Sequence, residues 1–267
     1  MIVITKKKQS GFFKPSMKGI KFIWVSVLLG ITFQAFCQSP ELEIPNKGSN
    51  LRSEQIVRHK GYTVSYNQEW LIPNWVAYEL TSEECQGSVS RAGGFTPDPE
   101  VTGRTASTYD YSSSGWDRGH MAPAADMKWD SEAMIESFYL SNVCPQDKKL
   151  NAGLWLATEK MARRWAERDS SVFVVCGPIV EAGYKTIGSS QVAVPSFFYK
   201  VVLRNHGEKW YAIGFLFPNT DCVGNLYDYS FPVDIIEDRT GFDFFSGLPD
   251  DIEDDIERDF RIKDWNS

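Results

Sequence analysis

The sequence predicts an α+β fold, in which one strand-rich domain carries a few inserted helices. Three observations lead there. Aromatic residues reach 14% of the 267-residue chain, with nine Trp, eleven Tyr and seventeen Phe, and such rings favour pleated, half-buried surfaces over helical bundles. Several short runs are alternating or continuously apolar and rich in β-branched residues. One longer stretch, 151–168, has its apolar residues at helical spacing. Hydrophobic residues at 42% and charged residues at 24% exclude a disordered chain, a collagen and a multi-span membrane protein.

The elements follow in chain order. Residues 1–37 hold six Lys and no acid, and 20–36 reads IKFIWVSVLLGITFQAF. A basic stretch, an apolar run and Ala35-Phe36-Cys37 before Gln38 match a signal peptide with small residues at −3 and −1. Met17 offers an internal start. An uncleaved anchor helix and a lipid-modified Cys37 are the other readings, but the apolar run is short and holds Gln34, and bulky Phe36 precedes the cysteine. Residues 38–58 are polar, with Pro40, Pro45 and Gly48, and read as a linker or loose arm before a folded domain at 59–267. GYTVSY (61–66) and NWVAYEL (74–80) read as a hairpin. Residues 81–114 form a long connection of the kind that often carries function. FYLSNV (138–143) reads as a short strand. Leu154, Thr158, Met161 and Trp165 outline one face of the 151–168 helix. SVFVVCG (171–177), FFYKVVL (197–203) and WYAIGFLFP (210–218) read as strands, the last of them central. A short helix over 234–245 would stop at Gly241, and 250–260 is a solvated acidic run with helical character.

The formal charge is −7; loss of 1–37 removes six Lys and leaves −13. An acidic, exported protein argues weakly against a nucleic-acid partner. Four cysteines remain after cleavage, Cys85, Cys144, Cys176 and Cys222. They allow two disulfides in three pairings, or buried free thiols.

Three histidines limit the chemistry. His59 precedes the first strand and His206 lies in a turn, so both read as surface loop residues. His120 differs. It sits in GWDRGHMAP (115–123), where Asp117, Arg118 and His120 lie within four residues. If this is a strand, Arg118 and His120 share a face. Further on come Asn142, in SNVCPQ, then Asn151 and Glu159. On its own Asn151 reads as a helix cap, and Glu159 as a solvated carboxylate. Eight residues put the two about 80° apart on a helix, with Trp155 between them on the same side, so one flank offers an amide oxygen and a carboxylate to a hard cation.

DRGH with MAPAAD (117–126), FYLSNVCPQ (138–146), LN (150–151) and the helix through Glu159 resemble the DNA/RNA non-specific endonucleases, of the ββα-metal or His-Me finger superfamily. The likeness runs over roughly 60–248 and includes VFVVCGP (172–178), VPSFFYK (194–200) and RTGFDFF (239–245). It implies a ββα-metal finger on a central, mainly antiparallel sheet with flanking helices. By resemblance His120 is the general base and Asn151 the ligand of Mg²⁺, with Mn²⁺ able to substitute. Asn142 and Glu159 match two further catalytic positions, and Asn142 or a nearby carbonyl would orient the imidazole ring. Arg118 and an upstream arginine, Arg91 or else Arg104, would bind phosphate oxygens; Asp117 would orient a partner such as Arg118.

The reaction implied is hydrolysis of DNA or RNA backbone without sequence specificity, the ion stabilising phosphate and leaving group. Between Cys85 and Arg168 ten basic residues meet eleven acidic ones, so affinity would be modest and salt-sensitive. A groove of Arg91, Arg118, Lys128, Lys148, Lys149, Arg163 and Arg164 would supply it. A non-catalytic binding or adhesion module on the same fold is the competing reading; the intact His120, Asn142, Asn151 and Glu159 set favours the enzyme. No membrane attachment is expected after signal cleavage. A homodimer is compatible with the sequence, which leaves oligomeric state and DNA or RNA preference open.

Overall fold

Both faces of the long strands are apolar, so the sheet they form is covered on both sides. The computed structural model describes residues 41–48, 52–207 and 209–265; the expected signal peptide lies outside them. The strands are β1 (Gln55–Arg58), β2 (Thr63–Asn67), β3 (Ile72–Thr81), β4 (Asp117–His120), β5 (Val143–Gln146), β6 (Ser171–Ile179), β7 (Thr186–Ile187), β8 (Val192–Ala193), β9 (Phe197–His206), β10 (Lys209–Pro218) and β11 (Ser230–Phe231). The helices are α1 (Ser131–Glu136), α2 (Lys148–Leu150), α3 (Leu156–Asp169), α4 (Val233–Thr240), α5 (Asp250–Arg258) and α6 (Ile262–Trp265).

Seven strands pair in the order β1-β2-β3-β6-β9-β10-β11, every neighbour antiparallel. Side chains alternate between faces. Val76, Tyr78, Val174, Cys176, Phe198, Val202, Ile213 and Phe215 join one core with Trp155 and Trp165 of the α3 side. Trp75, Val175, Tyr199, Val201, Leu203 and Ala212 join the other, with Val233 and Ile236 of α4 and Ile256 of α5. Helices on both faces explain why 171–177, 197–203 and 210–218 read as continuous apolar runs rather than alternating ones.

Several expectations need correction. The central strand is β6, and β10 is next to the edge, where β11 adds only two residues. Strand length and hydrophobicity encode burial, not order. The strand expected at 138–143 starts only at Val143, because Leu140–Asn142 forms a 3₁₀ turn. The Asn142 amide turns inward and pairs with backbone, which competes with a ladder. The stretch read as a loose arm is attached: Leu42 is buried, Asn46 and Asp243 exchange backbone hydrogen bonds, and β1 pairs along β2. Residues 250–260 are not simply solvated, since Ile256 and Glu257 are buried. The helix before Gly241 does stop there, in the left-handed conformation at φ 73°.

His59 is not a surface residue. Its side chain is 2% exposed, and Nε2 lies 2.9 Å from Asp98 Oδ2, which also accepts from Ser141 Oγ at 2.5 Å. His206 is exposed as expected, with Nδ1 2.7 Å from Asp169. The four cysteines of the described residues are free thiols, with Cys144 and Cys176 buried. Among the described residues no helix is long and apolar enough to cross a membrane.

Candidate active site

The site is a two-stranded ribbon followed by a helix. β4 and β5 pair antiparallel, with His120 opposite Val143 and Gly119 opposite Cys144. Gly119 is required by this pairing, since a Cβ there would stand 2.6 Å from the Gln146 Cβ. After β5 the Asp147 side chain caps the next turn, accepting from the Lys149 and Leu150 amides at 2.8 and 3.2 Å. Asn151, read from sequence as a cap, is thereby free for another task. It opens a π turn, Asn151–Trp155, in which Gly153 leaves helical geometry; such turns often mark functional sites. Trp155 does not share the presenting flank with Asn151 and Glu159. The wider turn points it into the core, and its Nε1 donates to the His120 carbonyl at 3.0 Å.

Arg91, Phe95, Asp117, Arg118, His120, Asn151 and Glu159 line one open pocket. The His120 ring packs against Phe95 and Phe138, each with its centroid 5.0 Å away. Its Nε2 is sealed and unpartnered. Burial, and secondarily the Arg91 charge, push the imidazole down to about 3, so it stays neutral at any physiological pH. Asn151 Nδ2 donates to Asp117 Oδ2 at 3.1 Å. The Asp117 partner is therefore Asn151 rather than Arg118, and the amide oxygen of Asn151 is left for a ligand. Glu159 is buried, and burial raises its carboxyl to about 7 while Lys200 opposes the rise.

Of His120, Arg91, Arg118, Asn142, Asn151 and Glu159, only Asn142 stands apart from the pocket. It is buried; its Oδ1 accepts from the Ala122 amide at 2.8 Å, and its Nδ2 donates to the carbonyls of Ala122 (2.8 Å) and Ser137 (2.9 Å). It shapes the segment after His120, and its side-chain hydrogen bonds go to backbone rather than to the ring. Arg91 lies over Phe138 at 4.8 Å and faces the pocket, whereas Arg104 donates to the Ser190 carbonyl. Arg118 donates to the Thr108 carbonyl at 2.7 Å and stacks near Tyr111 and Phe95. The expected basic groove is reduced, because Arg163 pairs with Asp126 and Lys149 with Asp221.

Three residues behind the pocket escaped the sequence reading. Lys200 is fully buried, 4.1 Å from the Trp155 ring centroid. Asp126 accepts from Tyr78 at 3.0 Å and from Arg163. Phe138 walls in His120. Lys200 had a signal: within FFYKVVL it shares parity with Phe198 and Val202, which face the finger.

Comparison with known proteins agrees with this geometry. The family model described as DNA/RNA non-specific endonuclease matches residues 41–251. The mitochondrial nuclease EXOG of Danio rerio is 37% identical, covering 77% of this chain and 63% of its own. That of Xenopus laevis is 38% identical, covering 79% and 62%. A nuclease of Serratia marcescens is 34% identical, covering 78% and 80%. This chain thus spans about three fifths of the two mitochondrial relatives. Among solved structures, that of the EndoG/EndoGI complex aligns with a TM-score of 0.70 at 29% identity, over 75% of this chain and 89% of that one. With the fold, the finger and the matched span in agreement, the chain belongs to the DNA/RNA non-specific endonuclease family.

Proposed function

We propose that the protein is a metal-dependent endonuclease that hydrolyses phosphodiester bonds of DNA and RNA without sequence selectivity. The observation that carries this reading is the neutral, walled-in His120 in one pocket with Arg91, Asn151 and Glu159. The donor set suits a hard cation. Asn151 has one amide atom anchored on Asp117, and Glu159 adds a carboxylate; both offer oxygen only.

Asn151 Oδ1 would hold the cation directly, and Glu159 would hold a water of its shell. When bound, Mg²⁺ supplies charge neutralisation at the phosphate and the leaving oxygen. His120 takes the proton of the attacking water. Its Nε2 is sealed from solvent, which leaves Nδ1 as the accepting atom, and a base of this kind contributes about 10²–10⁴-fold. Arg91 and Arg118 bind phosphate oxygens as charge builds on them. These groups address backbone rather than base edges, which supports cleavage without sequence preference.

The test is incubation of the protein with plasmid DNA and with RNA, in Mg²⁺ and after EDTA. Cleavage of both that stops in EDTA is expected. Tight binding without turnover would favour a non-catalytic binding module instead. Residues 1–37 support export with Gln38 as the mature N-terminus, although two of the relatives above are named as mitochondrial. N-terminal mass spectrometry decides this; a retained apolar segment or a lipidated Cys37 would overturn it.

A further inference from the structure

On the sheet face away from the pocket, α4 and α5 pack against β10 and each other. The inward side of α5 is not wholly apolar. Glu257 is 4% exposed, and its Oε1 is sealed with no hydrogen-bond partner. Facing it, α4 presents Asp234 and Glu237, which lie three apart and so share one side of that helix. One carboxylate oxygen from each of the three residues lies within 4.8 Å of the others. Glu237 places Oε1 on the Phe244 amide at 2.7 Å, which fixes its carboxylate in place.

Three carboxylates this close repel unless a proton or a cation intervenes. Apart from burial, the strongest influences on Glu257 are four other acids: Glu237, Glu253, Asp234 and Asp243. No basic side chain is among them. One turn before Glu257, Glu253 also has a sealed, unpartnered Oε1, but its carboxyl shares a hydrogen bond with Asp243, and none is found for Glu257. Asp234 is exposed and Glu257 buried, so the cluster opens to solvent on one side, where waters can complete a coordination shell.

We propose that Asp234, Glu237 and Glu257 form a second cation site, separate from the pocket of His120, which binds Ca²⁺ and ties α4 to α5. The acidic cluster is one observation, and the buried, unpartnered Glu257 oxygen aimed into it is the other. An all-oxygen set from two helices, open to water, suits the flexible shell of Ca²⁺ better than the strict octahedron of Mg²⁺, and it offers no nitrogen or sulfur for softer metals.

The experiment is calorimetric titration of Ca²⁺ into the metal-stripped full chain, with thermal melts alongside. The Asn151→Ala variant removes the direct ligand of the other site. It should still bind one Ca²⁺, with a melting temperature raised by roughly 5–10 °C at a hundredfold excess over Kd. Adding Glu257→Gln should abolish both responses. Glu257→Gln alone should cleave nucleic acid in Mg²⁺ as the wild type does. Asp234→Asn, at the exposed rim, gives the same test where folding is not at issue. Absence of Ca²⁺ binding in Asn151→Ala, or unchanged binding after Glu257→Gln or Asp234→Asn is added, would overturn the proposal.

Discussion

Trp155 Nε1 donates to the backbone carbonyl of His120 at 3.0 Å. Trp155 ends the π turn that Asn151 begins, and its ring packs on Phe198 and Phe217. One hydrogen bond therefore fastens the strand end that bears the proposed base to the turn that bears the proposed amide ligand. Trp155→Phe keeps much of the packing and leaves that carbonyl without its donor. We expect a loss of about 1–3 kcal/mol in stability, and a fall in kcat larger than the rise in KM, because no substrate-binding group is removed. Denaturant titration and steady-state kinetics check both.

Asp117 acts on Asn151 through a 3.1 Å hydrogen bond. Its removal in Asp117→Ala frees the amide to rotate. Partners of this sort are worth about 10–100-fold in metal affinity, so the Mg²⁺ concentration for half-maximal cleavage should rise by that factor. Cleavage at saturating Mg²⁺ should recover most of its rate.

Asn142→Ala separates a scaffold role from a catalytic one. The change leaves the Ala122 amide and carbonyl and the Ser137 carbonyl without their partner. At about 1–3 kcal/mol for a buried group left unpaired, stability should fall by at least about 2 kcal/mol. Metal affinity should hold in the protein that remains folded. Lost metal binding with unchanged stability would return Asn142 to the site.

The finger was legible in the sequence because its parts are local: DRGH, the VCPQ strand and the helix after Asn151 all fall within residues 117–169. What the sequence hid depends on distant pairings. Arg91 and Arg104 are distinguished only by the contact of one with Phe138 and of the other with Ser190. His59 looked solvated because Asp98, which bonds it, and Tyr139, whose ring packs on it, lie 39 and 80 residues away. The role of Asn142 follows from the direction of its amide, which residue type does not encode. Lys200 reads as a strand lysine until the parity of β9 places it beneath Trp155.

The imidazole also sets a pH dependence of stability. His120 sits at about 3 when folded and near ~6.5 when unfolded. Between those values the unfolded chain holds a proton that the native state does not. The His120 contribution is therefore fully present above ~6.5 and is lost as pH falls toward 3, by at most about 1.4 kcal/mol per pH unit. Stability of His120→Asn should fall less steeply than that of the wild type across this window, which paired denaturant titrations would resolve.

Under the proposed mechanism His120 accepts the proton and Asn151 holds the metal. Cleavage rate against Mg²⁺ concentration for His120→Ala and Asn151→Ala tests it most directly. Asn151→Ala should regain activity as Mg²⁺ rises, since mass action offsets a weakened site. His120→Ala should stay about 10²–10⁴-fold slow at every concentration. A His120→Ala protein that cleaves at the wild-type rate would take proton acceptance away from His120, and an Asn151→Ala protein with wild-type activity at low Mg²⁺ would take metal ligation away from Asn151.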